Sequence, residues 1–83
     1  MIRVLLFSSL REELNSSSVE VPALGISRIS CLVEKLERLY GKSWGRVLKG
    51  ENTLVAVNQT VVHDNHHIGD GDEVAFFPPV TGG

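Results

Sequence analysis

The chain predicts a small α+β domain, a mixed sheet with one main helix packed on one face. Three observations lead there. Short runs of alternating or β-branched apolar residues recur at 2–7, 19–21, 53–57, 61–62 and 73–77. Between the second and third runs, Ile29, Leu32, Val33, Leu36, Leu39 and Tyr40 recur at helical spacing. Finally, Pro78 and Pro79 fix φ and lack the N–H that a sheet ladder needs, so the last strand must stop before them. The domain therefore occupies residues 1–77, and residues 78–83 form a flexible Gly-Gly tail.

Each element has its own signal. In residues 2–7, Ile2, Val4 and Leu6 share one face while Arg3, Leu5 and Phe7 share the other, and apolar residues on both faces suit a central strand. Residues 8–18 are polar and read as a loop or hairpin turn. Residues 19–21 form a short second strand that Pro22 ends. Ser27 is the expected N-cap of the main helix and Gly41 its stop. Cys31 projects away from the apolar stripe, toward solvent. Trp44, Val47 and Leu48 read as a turn of helix or loop plugging the core edge. A turn at 50–52 leads to a third strand at 53–57, and Asn58-Gln59 separates it from a hairpin arm at Val61-Val62. Asp70-Gly71-Asp72 turns the chain into the last strand, 73–77. With the first and last strands as central parallel neighbours, this order is the ubiquitin-like β-grasp architecture.

Composition excludes several function classes. Eighty-three residues, 42% hydrophobic and 22% charged, make one globular unit too small for a catalytic cleft between lobes. The net charge is −2 and Lys and Arg are scattered along the chain, so no nucleic-acid or membrane-surface partner is expected. No apolar run approaches the roughly 18 residues of a transmembrane span, and Met1-Ile2-Arg3 leads into a strand rather than a signal peptide, so the expected location is cytoplasmic. The single cysteine, Cys31, can form no internal disulfide. His63, His66 and His67 cluster in a loop-like segment without a recognised metal spacing; no metal site is expected and no role is assigned to them.

The end of the chain is expected to carry the chemistry, the alternative being a frayed, inert terminus. Paired prolines favour an extended stem, and Gly82 and Gly83 have no side chains to keep the terminal carboxylate out of a narrow cleft. If the helix covers Ile2, Val4, Leu6, Val74 and Phe76, the period-two rule puts Leu5, Phe7 and Phe77 on the opposite face. Parallel neighbours end at the same edge, so Phe7 and Phe77 are expected together at the root of the tail, as an exposed apolar patch suited to a partner.

Val57-Asn58-Gln59-Thr60, the string from Asp70 through Phe76-Phe77-Pro78-Pro79-Val80-Thr81-Gly82-Gly83, and Val4-Leu5-Leu6-Phe7 followed by Arg11-Glu12 together resemble the small, sulfur-carrier subunits of molybdopterin synthases. Residues 15–51 agree only in hydrophobic rhythm. The resemblance implies that an activating enzyme uses ATP to adenylate Gly83 and that a sulfur donor converts it to a thiocarboxylate. That sulfur then passes to cyclic pyranopterin monophosphate in the large subunit's active site. By the same resemblance, Pro78, Pro79, Val80, Thr81 and Gly82 thread into the partner, and Phe7, Val61 and Phe77 make its apolar contact with Arg11 nearby. The implied assembly has two small and two large subunits, with no permanently bound cofactor and no catalytic side chain in this chain. Other readings of the same tail are a carrier for thiamine synthesis or tRNA thiolation, a ubiquitin-like modifier joined to lysines through Gly83, and an interaction module with an inert end.

Overall fold

The computed structural model describes residues 1–79. Its elements are β1 (Ile2–Leu6), α1 (Ser9–Leu14), β2 (Ser18–Val21), α2 (Ile29–Tyr40), α3 (Lys42–Leu48), β3 (Leu54–Val57), β4 (Thr60–Val62) and β5 (Glu73–Phe77). The strands form one sheet in the order β2-β1-β5-β3-β4. β1 and β5 are parallel central neighbours, and the other pairs are antiparallel. This is the mixed sheet expected from the order of apolar runs.

Alternation sorts the side chains between two faces. Ile2, Val4 and Leu6 of β1 and Val74 and Phe76 of β5 are at most 1% exposed, and they meet Leu32, Val33 and Leu36 of α2 in one continuous core. Burying side chains of this size contributes about 1.5–3 kcal/mol each. Asn58 and Gln59, with φ of 49° and 71°, form the two-residue turn between β3 and β4, left-handed at both positions as a tight hairpin requires.

Four local expectations are corrected. Residues 9–14 are helical rather than loop: Leu10 and Leu14, one turn apart, are buried in the core, and that anchorage outweighs the polar composition between them. The N-cap of α2 is Arg28, not Ser27, and its opening amides are satisfied by a distant loop. Leu39 and Tyr40 are 52% and 46% exposed although they continue the apolar stripe. Gly41, at φ 119°, breaks the helix there, and α3 takes over the core by inserting Trp44 and Leu48. Tyr40 instead stacks on Trp44, with ring centroids 4.7 Å apart. Last, Cys31 is half-buried against the core rather than solvent-facing.

Candidate functional site

The sheet has one face under the helices, and the register assembles the opposite face row by row. Leu5 of β1 pairs with Ala75 of β5, Ala75 with Ala56 of β3, and Ala56 with Val61 of β4. One step toward the C-terminal edge, Phe77 pairs with Leu54. On its other side lies Phe7, whose amide donates to the Phe76 carbonyl at 3.1 Å and so continues the parallel ladder. Side chains two residues apart share a face, so these two rows form one apolar strip. The alanines at its centre leave a shallow floor between larger neighbours.

Exposure follows the same pattern. Phe7 is 40% and Val61 47% exposed, while Leu5, Leu54 and Phe77 are half-buried. Large apolar groups left open together are the signature of an interaction surface. α1 packs beside α3 and β5, and its Leu10 and Leu14 join the core, so residues 8–18 leave the strip uncovered. Ser8 helps to keep Phe7 outside. Its backbone stands at φ 54°, ψ −129°, a conformation that favours glycine, and there the chain leaves β1 and enters α1. Arg11 is exposed on α1, and its Nε donates a long 3.4 Å bond to the Leu6 carbonyl, which holds the guanidinium near the end of β1.

Phe7, Phe77 and Val61 thus lie on one face, with Arg11 at its edge. Pro78 is half-buried and Pro79 exposed where the chain leaves the strip. Val80, Thr81, Gly82 and Gly83 lie outside the described residues. Leu54, Ala56 and Ala75 complete the strip but were not singled out in the sequence. Their period-two position on β3 and β5 was the available signal, and it acquires meaning only once the strand order is known.

The histidine segment has a structural task. Asn65 Oδ1 accepts from the Ser30 amide at 2.8 Å, and its Nδ2 donates to Ser30 Oγ at 2.9 Å. The Ile29 amide donates to the His66 carbonyl at 3.1 Å, and the Ile68 amide donates to the Ser27 carbonyl at 3.0 Å. The loop therefore clamps the opening turn of α2, supplying partners for amides that no residue of the helix can reach. Among the described residues no group of three or more His, Cys, Asp or Glu could hold a metal. Backbone groups of Ser27 and Arg28 stabilise the Cys31 thiolate and hold its pKa below the ordinary thiol range.

A five-stranded mixed sheet with helices on one face defines a ubiquitin-like β-grasp domain, here with an apolar strip on its other face. The chain belongs to the ThiS family, whose pattern matches residues 4–83. It is 42% identical over 83 residues to the molybdopterin synthase sulfur carrier subunit of Escherichia coli K12, covering all of both chains. Among solved structures it resembles SAMP1, the small archaeal modifier protein 1 of Haloferax volcanii, at 25% identity and a TM-score of 0.80 over 99% of this chain and 98% of that one. It also shares the fold of a chain in the complex of subunits 1 and 2 of molybdopterin-converting factor from Helicobacter pylori 26695. There the TM-score is 0.68 at 20% identity, over 99% and 97% of the two chains. Among the described residues no helix is long and apolar enough to cross a membrane.

Proposed function

We propose that the chain is the sulfur-carrying small subunit of a molybdopterin synthase and works in the cytoplasm. The observation that carries this reading is its end-to-end similarity to a sulfur carrier subunit of that enzyme. The apolar strip supports it, because a reagent delivered on a tail needs a docking surface at the root of that tail.

The Gly83 carboxylate is a poor electrophile until it carries a leaving group. An activating enzyme joins it to the AMP portion of ATP, releasing pyrophosphate; a sulfur donor then displaces AMP and leaves a thiocarboxylate. Phe7, Phe77 and Val61 seat the domain on the large subunit, with Arg11 making a polar contact at the edge. Pro78, Pro79, Val80, Thr81 and Gly82 carry the sulfur into the partner's active site. Transfer to cyclic pyranopterin monophosphate returns Gly83 to a carboxylate, and two charged carriers are consumed for each dithiolene. This matches an assembly of two small and two large subunits. The chain itself needs no resident cofactor and no general base; the large subunit supplies the cations that bind the substrate phosphate.

Mass spectrometry of the chain after incubation with activating enzyme, ATP and a sulfur donor tests the reading. Replacement of one Gly83 oxygen by sulfur is expected, and an unchanged mass would overturn it. Assay of the charged chain with the large subunit and pyranopterin substrate then separates this carrier from one serving thiamine synthesis or tRNA thiolation. The likeness to SAMP1 favours one further reading, a modifier, for which an isopeptide between Gly83 and a target lysine would be found instead.

A further inference from the structure

Half of the chain's eight basic side chains line one groove. It runs between α2 and α3 with a volume of about 820 Å³, and its cations are Arg38 of α2, Lys42 and Arg46 of α3, and Lys49 just beyond α3. No carboxylate occurs in the sequence between Arg38 and Lys49. Lys42, Gly45 and Arg46 fall on one stripe of α3, and Lys49 follows at the same spacing just past its end.

Gly45 forms the floor. A Cβ there would collide with the Glu37 carboxylate, which lies against it and pairs with Lys49 at 3.6 Å. The groove therefore already seats one carboxylate of its own chain. Arg38, Lys42 and Arg46 have no ion-pair partner among the described residues.

We propose that this groove docks an acidic segment of a partner protein, whose aspartate or glutamate side chains pair with Arg38, Lys42 and Arg46. Charge complementarity is the first argument, since the cluster is locally positive on a chain of net charge −2. The other two concern the kind of anion. Glu34 and Glu37 also line the groove and leave its four cations a surplus of only two charges, which suits carboxylates spaced along a peptide better than the dense charge of a phosphate chain. Leu39 and Tyr40, next to Arg38 in the chain though outside the groove lining, are exposed apolar surface that a polypeptide reaching past the groove would cover and a bare polyanion would not. α3 is seven residues long, about 10 Å, which matches three or so residues of extended peptide. Because α2 turns Leu32, Val33 and Leu36 toward the sheet, the groove lies on the far side of the molecule from the apolar strip. An acidic partner and a partner on the strip can bind together.

Nitrogen-15-labelled full chain, titrated with a short peptide of alternating glutamate and serine, tests the proposal. Amide shifts are expected at residues 38–49, Gly45 included, with affinity falling as salt is raised. Combined Lys42→Glu and Arg46→Glu substitution should weaken binding about tenfold while the thermal midpoint stays in place. Equal binding of the glutamine counterpart peptide, shifts away from residues 38–49, or indifference to the charge reversal would each overturn it. So would tighter binding of tripolyphosphate or of a single-stranded oligonucleotide than of the peptide. Simultaneous binding rests on the proposed docking of the large subunit, but the groove does not. If the large subunit fails to bind while the peptide still shifts residues 38–49, the docking reading falls and the groove stands; the reverse result removes the groove alone.

Discussion

Gln59 holds φ at 71° without being a glycine, and the residue before it, Asn58, is left-handed as well. A side chain with a Cβ pays about 1–2 kcal/mol in that region, partly offset in glycine by its greater freedom when unfolded. Gln59→Gly should therefore stabilise the fold by about 0.5–1 kcal/mol, read as a higher thermal midpoint; a lower one would mean that the Gln59 side chain makes a compensating contact. Asp70 gives a pH dependence of definite sign. The Met1 ammonium bonds and pairs with its carboxyl and holds the pKa below the usual carboxylate value. The associated stability is complete above the unfolded pKa of about 3.9 and is lost as pH falls through the lower folded value. Asp70→Asn should flatten the acid limb of urea unfolding curves below about pH 4 and leave neutral unfolding almost unchanged, as expected for so exposed a pair. Phe77 belongs to the same scale: Phe77→Ala is expected to weaken binding to the large subunit by roughly 2 kcal/mol in calorimetry, because a half-buried aromatic flanked by Phe7 and Leu54 in an apolar strip is the kind of side chain that anchors interfaces.

Elements differ in how far their own residues specify them. β1, β5 and the β3–β4 hairpin were legible because alternation and a two-residue turn are local signals. α1 was not, since six residues with only Leu10 and Leu14 apolar make no isolated helix; packing against the core makes it one. α3, which Trp44, Val47 and Leu48 already marked as a turn of helix or loop plugging the core edge, also depends on packing: with Gly45 inside a seven-residue helix, it exists because Trp44 and Leu48 complete the core that α2 abandons at Gly41. The start of α2 depends on a loop about 35 residues away in sequence, which hid the true cap from local reasoning. Asn65→Ala should therefore cost about 1 kcal/mol of stability and speed hydrogen exchange at the Ser30 amide. His67→Ala, by contrast, leaves these bonds intact and should change stability by less than about 0.5 kcal/mol. A large loss on replacing His67 would require another role for that side chain.

At the scale of the whole molecule, the described residues form one packed body, and the proposed chemistry falls on Gly83. Among the described residues every member of the hydrophobic core lies between Ile2 and Phe76, and deletion of Gly83 is expected to abolish sulfur transfer without moving the thermal midpoint. A fall of several degrees would show that the tail contributes to the fold. The sequence by itself determined which side chains share a strand face, where the sheet must stop, and that Phe7 and Phe77 point away from the helix, because each follows from a repeat of two or from a proline's missing N–H. Tertiary structure alone decided that β3 stands beside β5. It thereby joined Leu5, Ala75, Ala56 and Val61 into one strip, and by packing α3 against α2 it turned the basic run from Arg38 to Lys49 into the lining of a groove. The physical reason is one of range: alternation acts over two residues, whereas strand neighbours and helix contacts are settled by burying a core that spans the whole chain.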